Sequence, residues 1–221
     1  MNIIITSGGT SERIDAVRRI TNNSTGRLGA AIADKFALEG FGNIFYLCGR
    51  GAVLPKSNVS DIIYIEGVDS LEFLIKQICN RYTIDVFVHA MAVSDYTIAS
   101  AVDVCGEEID LTNKISSKHN EITLKLKKTI KIISHLREYA PLAAIFGFKL
   151  MDNVQHEILI SAAFELLKKN NCDFVLANDS KYFSENQHIG YLIDKDKNIS
   201  KYYTKEEIAA AIVTSALKLR T

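Results

Sequence analysis

IIITSGGT, residues 3–10, sets three consecutive isoleucines against a threonine, a serine, two glycines and a final threonine. A short unbroken apolar run of this kind suits a strand covered on both faces, as in a parallel sheet. Glycine directly after such a strand lets the chain turn tightly and lets a ligand approach main-chain amides, at the edge of an open α/β sheet where ligands bind. Taken alone, the turn serves structure as readily as it serves a site. Five further runs repeat the strand signal, at residues 44–47, 62–65, 86–89, 144–148 and 174–177. Between them, residues 28–38, 71–79, 130–136 and 158–167 carry helical periodicity, with Leu71, Leu74, Ile75 and Ile78 on one stripe. Asp69-x-x-Glu72 and Thr204-x-x-Glu207 have the spacing of capping boxes at helix starts. This alternation predicts an α/β fold with a Rossmann-like, mostly parallel sheet and helices on both faces.

Two regions depart from the rhythm. Residues 94–128 hold no strong helix, and residues 121–127 alternate with period two, which predicts an inserted β flap with a half-exposed antiparallel strand. Residues 188–193 and 199–203 flank a turn-rich linker, which predicts a C-terminal β hairpin before the last helix. With 221 residues, two prolines and no repeat or Pro/Gly linker, we expect one nucleotide-binding α/β domain over residues 1–221.

Composition excludes several roles. Twenty-six basic and 26 acidic residues cancel, so no overall field draws nucleic acid or an acidic membrane surface. The N-terminus lacks a basic n-region and a cleavage site, and no apolar run approaches the ~18 residues of a membrane span. A cytoplasmic protein is expected. Cys48, Cys79, Cys105 and Cys172 are irregularly spaced with no C-x-x-C pair, signalling neither a zinc site nor a disulfide framework. None of the five histidines pairs at ligand spacing, and there is no G-x-S-x-G elbow, so no metal site and no serine-hydrolase chemistry are expected.

The second informative stretch is ITNNSTGRLGAAIADKF, residues 20–36. A helix starting near Thr25 would present unpaired amides and a positive dipole end, with Gly26 and Gly29 clearing space and Ser24 and Thr25 adding hydroxyls. The plainer reading makes Ser24 or Thr25 an N-cap and the glycines packing residues. Small residues at Met91-Ala92 after the fourth strand admit a flat ligand, with Asp95 beside them able to accept ribose hydroxyls or help hold a metal ion. Lys114, in the flap, has the reach to lie over phosphates as a point charge.

In order along the chain, Thr6–Asp15, Arg18–Gly29, Ala92–Tyr96, Lys114–Ser117, Gly147–Leu150 and Ala177–Asp179 resemble one family, the phosphopantothenate-cysteine ligases of the stand-alone bacterial type. The resemblance implies a Rossmann-like homodimer that joins 4'-phosphopantothenate and cysteine through an acyl-nucleotidylate, using CTP in preference to ATP as co-substrate, with Mg2+. It implies Asn22 and Lys114 as the catalytic pair, and Gly9, Ser24, Gly26, Gly29 and Asn178 around the substrate. For the nucleotide it implies Gly8, Met91, Ala92, Asp95, Lys114, Ile130, Lys131, Phe148 and Lys169 or its neighbour Lys168. Met151 stands where many members carry an acid, and the segment between Phe148 and Asn178 is longer than in bifunctional members. No flavin decarboxylase domain is fused within the 221 residues, so the resemblance implies a separate decarboxylase. Two other readings compete. One is an NAD(P)-dependent reductase with Arg50 reading a 2'-phosphate, opposed by the missing G-x-G-x-x-G. The other is a non-catalytic nucleotide-binding module.

Overall fold

The structure is a computed structural model and describes residues 1–184 and 187–219. β1 (Asn2–Ser7) leads into a small hairpin, β2 (Ser11–Arg13) and β3 (Arg19–Thr21), then α1 (Arg27–Leu38), β4 (Asn43–Gly49), β5 (Asp61–Ile65) and α2 (Val68–Arg81). After β6 (Val86–His89) comes a long hairpin, β7 (Tyr96–Asp103) and β8 (Ile122–Lys128), followed by α3 (Ile132–Tyr139), β9 (Ala144–Met151) and α4 (His156–Lys169). β10 (Phe174–Phe183), β11 (His188–Asp194), β12 (Ile199–Tyr202) and α5 (Lys205–Lys218) complete the order.

The main sheet runs β12-β11-β10-β9-β6-β1-β4-β5. From β5 to β10 all neighbours are parallel, and β11 and β12 add an antiparallel extension. Counting only the parallel strands, the order is the doubly wound 3-2-1-4-5-6, in which the chain first winds outward from β1 and then returns to lay β6 on its other side. The connections to the two sides therefore diverge above β1 and β6, leaving a crevice at their carboxyl ends.

The apolar runs are continuous because both faces of the sheet are covered. Ile4 and Phe87 pack with Leu71, Leu136 and Leu159 of α2, α3 and α4, whereas Ile3, Ile5 and Val88 pack with Ile32 of α1 and Ile208 of α5. Each of these isoleucines is fully buried, contributing on the order of 1.5–3 kcal/mol. One expectation is corrected at the sheet edge. Residues 62–65 were expected to be covered on both sides, yet Ile62 and Tyr64 are 40% and 51% exposed, because β5 is the edge strand and its outer residues have no partner layer. The β4–β5 crossover also lacks a helix. Its loop is held instead by Asp34, whose Oδ1 accepts from the Lys56 and Ser57 amides at 2.7 Å each.

The helix caps divide. Thr204 Oγ1 accepts from the Glu207 amide at 3.1 Å while the Glu207 carboxylate takes the Tyr203 amide at 2.7 Å, a working capping box displaced by one residue on its return arm. At α2 the expected box is not formed. The helix starts at Val68, one residue before Asp69, and its first amide is taken at 2.9 Å by Glu12 of β2, from 56 positions away. A buried long-range carboxylate thus supplants the local cap.

Gly49 ends β4 directly beneath the β1 turn, where a Cβ would lie 2.1 Å from the Gly9 carbonyl oxygen. Main chain cannot yield as a side-chain tip does, so Gly49→Ala should cost about 1–3 kcal/mol of stability by overpacking. Denaturant titration with an unchanged slope is the check.

Candidate active site

The β1–β6 ladder continues past the ends of both strands. Ala90 donates to the Thr6 carbonyl at 3.1 Å, Ala92 to Gly8 at 2.8 Å, and Thr10 back to Ala92 at 3.1 Å. The side chains repeat the connection. Thr6 Oγ1 lies 2.8 Å from His89 Nδ1, and Thr10 Oγ1 accepts from the Ser94 amide at 2.9 Å. Asn22 joins the same turn, its amide donating to the Thr10 carbonyl at 3.2 Å. Its own carbonyl crosses Gly9 so closely that a Cβ there would lie 2.3 Å away, which explains the glycine. Three segments separated by up to 84 positions thereby share one rim: Gly8–Gly9, Asn22, and Met91–Ala92.

Behind that rim stands the start of α1. The helix begins at Arg27 rather than near Thr25, with Gly26 as N-cap at φ +72°, a left-handed conformation that a side chain would strain. Ser7 Oγ donates to the Gly26 carbonyl at 3.0 Å, and a Cβ at Gly29 would lie 2.2 Å from that hydroxyl oxygen, so the helix start lies against the end of β1. Neither Ser24 nor Thr25 is the N-cap. Thr25 Oγ1 reaches the Arg27 amide only at 3.5 Å, beyond effective hydrogen bonding. The first turn carries no acidic residue and no side-chain cap, leaving amides and the positive dipole end for an anion.

The flap is tied down at two points. At its base, Thr129 Oγ1 donates to the Ser94 carbonyl at 2.6 Å and the Thr129 amide to Asp95 at 3.1 Å, and the chain enters α3 through Ile130 and the N-cap Lys131. Lys131 Nζ pairs with Asp95 at 2.8 Å, both well exposed. At its far loop, the exposed Lys114 precedes Ile115, whose side chain is buried. The Ile115 amide donates at 3.0 Å to Asp15 in the β2–β3 turn. Asp15 also takes the Val17 and Arg18 amides at 2.8 and 2.7 Å and pairs with Arg18 at 3.3 Å. Burial alone would raise its pKa; the three backbone donors and the Arg18 charge outweigh that and hold it below the usual carboxylate value.

On the far side of β6, Phe148 is half-buried in β9 and aligned with Leu176 of β10. Asn178 is buried two residues on, its Nδ2 3.2 Å from His188 Nε2, and the His188 ring stacks on Phe183 with centroids 4.1 Å apart. Asp179 takes the amides of Asn153, Val154 and Lys181 at 2.8, 3.0 and 3.0 Å. Burial opposes its charge, but those donors bring its pKa down to about 2. Lys168 and Lys169 lie elsewhere. They end α4, which carries the chain back from the carboxyl end of β9 to the start of parallel β10, so they sit toward the opposite edge of the sheet.

The β2–β3 hairpin lies between β1 and α1, where Ser11-Glu12-Arg13 carries no apolar alternation to announce it, and the joints made by Asp15 and Asp179 and the pairing of His188 with Asn178 are equally absent from any local pattern. Among the described residues no group of three His, Cys, Asp or Glu could hold a metal, and no helix is long and apolar enough to cross a membrane.

Residues 1–219 match the family described as the DNA/pantothenate metabolism flavoprotein C-terminal domain. The coenzyme A biosynthesis bifunctional protein CoaBC of Methanocaldococcus jannaschii is 32% identical over 222 residues, covering 98% of this chain and 50% of that protein. Its counterpart from Thermococcus kodakarensis is 32% identical over 209 residues, 94% of this chain and 48% of that protein. The chain therefore spans about half the length of these curated relatives. The crystal structure of the DNA/pantothenate metabolism flavoprotein from Streptococcus pneumoniae matches with a TM-score of 0.88 at 34% identity, over 99% of both chains.

His89 and His188 both have pKa values pushed down to about 4 by burial, with Lys205 adding repulsion at His188. Each is depressed below the unfolded value of ~6.5, so its contribution to stability is complete above that pH and is lost as pH falls toward 4. Urea midpoints should decline over that window. His89→Gln, which can retain a hydrogen bond to Thr6, should remove about half of the decline if the two rings contribute equally.

Proposed function

Because the chain belongs to the DNA/pantothenate metabolism flavoprotein C-terminal domain family, we propose that it is a nucleotide-dependent ligase joining 4'-phosphopantothenate to cysteine, with CTP the preferred co-substrate. The names of the coenzyme A biosynthesis relatives support the pathway. The observation that carries the reading is the main-chain ladder through Gly8, Thr10 and Ala92 with Asn22 bonded into it, set in front of the uncapped start of α1. It offers an anion site and a row of small residues on one rim.

In this reading the α1 amides, with Ser24, Gly26 and Gly29, hold the substrate phosphate. Gly8, Met91, Ala92, Asp95, Lys131 and Phe148 line the nucleotide, and Asn178 contacts the substrate. The carboxylate of phosphopantothenate attacks the α-phosphorus and pyrophosphate leaves. The cysteine amine then attacks the acyl carbon and the nucleoside monophosphate leaves. Both nucleophiles belong to substrates, so the protein's task is positioning and charge neutralisation. Asn22 donates its side-chain amide to the acyl-nucleotidylate, and Lys114 neutralises phosphate charge as it develops.

Magnesium ordinarily binds through nucleotide phosphates with one or two carboxylates, so the absence of a protein cage among the described residues fits an ion that accompanies the nucleotide. Asp95 is an exposed carboxylate at this rim, and the ion would offset phosphate charge. Lys169, toward the other edge of the sheet, is left out of the subunit's own site. The active species is a homodimer.

Incubation with phosphopantothenate, cysteine, magnesium and CTP should release pyrophosphate and form the amide, faster than with ATP; no release with either nucleotide would refute the reading. Asn22→Ala should lower the amide-forming rate by about 100-fold, in the range for loss of one donor to a developing charge, while nucleotide affinity changes by less than about threefold. Equal losses in both would remove Asn22 from its role.

A further inference from the structure

Resting on the ligase reading, we propose that Asp15 is the positioning residue for Lys114: its carboxylate locks the flap loop to the β2–β3 hairpin and so sets Lys114 relative to Asn22. The two ends of this lock are 100 positions apart in the chain. The Asp15 side chain has no solvent exposure, and its two oxygens divide the work. Oδ1 accepts from the Val17 and Arg18 amides and shapes the hairpin turn. Oδ2 faces outward from that turn and accepts from the Ile115 amide at 3.0 Å, with Arg18 Nη1 at 3.3 Å.

The opposite side of the same peptide segment is held as well. Arg18 Nη2 donates to the Ile115 carbonyl at 3.1 Å, and Arg13 Nη2 donates to the Thr112 carbonyl at 3.2 Å. With the Ile115 side chain 3% exposed, the residue following Lys114 is fixed at its amide, its carbonyl and its side chain. From the other end of the hairpin, β3 pairs Thr21 with Ser11 and delivers Asn22 to the Thr10 carbonyl. The hairpin is itself anchored, since Glu12 caps α2 and the Ser11 amide donates to Glu66 at 2.8 Å. One small rigid unit therefore references both the flap lysine and the rim asparagine. The alternative role, a turn former that stabilises the fold without acting on the flap, would need only Oδ1.

Asp15→Asn separates the two roles. Asparagine keeps an oxygen for the turn amides but presents an NH2 group to the Ile115 amide, donor against donor. We expect backbone amide exchange at Ile115 to rise at least about tenfold, with Val17 and Arg18 unchanged. Pyrophosphate release in a single turnover should slow about tenfold, while the KM for phosphopantothenate stays within about twofold. In a Lys114→Ala background the same substitution should change that rate by less than about twofold, because a positioning residue acts only through the side chain it positions. A full tenfold loss in that background, or unchanged exchange at Ile115, would overturn the proposal. If Asp15→Asn does not fold, Arg18→Ala, which frees the Ile115 carbonyl, is put through the same cycle with the same criteria. Should the wild-type protein release no pyrophosphate, the ligase reading fails, while exchange at Ile115 still reports whether Asp15 holds the loop.

Discussion

Everything at the carboxyl edge of this sheet depends on the backbone ladder that carries β1 and β6 three residues beyond their last regular pairing, from Thr6–His89 to Gly9–Ala92. A doubly wound order separates the chain above these two strands, and a separated pair of loops would ordinarily leave buried amides and carbonyls unmatched. Here Gly8, Thr10 and Ala92 exchange hydrogen bonds instead, so the opening above the switch point has walls of main chain with little side-chain bulk. Gly9 and Gly49 follow from the same constraint. Each sits where a neighbouring carbonyl oxygen occupies the space of a Cβ.

A chain of zero net charge has no overall field with which to attract anions. Local sources supply it. The first turn of α1 lacks acidic residues and Arg27 stands exposed in it, whereas Lys131 at the start of α3 is already paired with Asp95. Such fields act at short range, which suits holding an anion in place more than long-range steering. At the root of this rim His89 is buried, its pKa pushed down to about 4 by that burial, and its Nδ1 lies 2.8 Å from Thr6 Oγ1.

Three buried carboxylates act as joints between segments that are distant in sequence. Glu12 caps α2, Asp15 ties the hairpin to the flap, and Asp179 holds the β9–α4 turn to β10. A charge withdrawn from water is tolerated only with several donors, and each donor must come from the right segment at the right distance. The arrangement is therefore specific as well as stabilising. It converts approximate packing of loops into defined positions for the residues they carry.

The unbroken apolar runs beginning with Ile3-Ile4-Ile5 determined by themselves a parallel sheet covered on both faces, correctly for every run except residues 62–65. The period-two segment before Lys128 determined the flap, and the turn-rich stretch around Asp194 the last hairpin. These are local consequences of side-chain alternation and turn chemistry, legible because they need only neighbours a few residues away. The edge position of β5, the left-handed Gly26 that delays α1, the capping of α2 by Glu12, the β2–β3 hairpin and the distance of Lys169 from the glycine loop were decided by tertiary structure alone. Each depends on partners tens of positions away or on which strand lies outermost, and no local pattern encodes a contact whose other half is supplied only when the chain has folded.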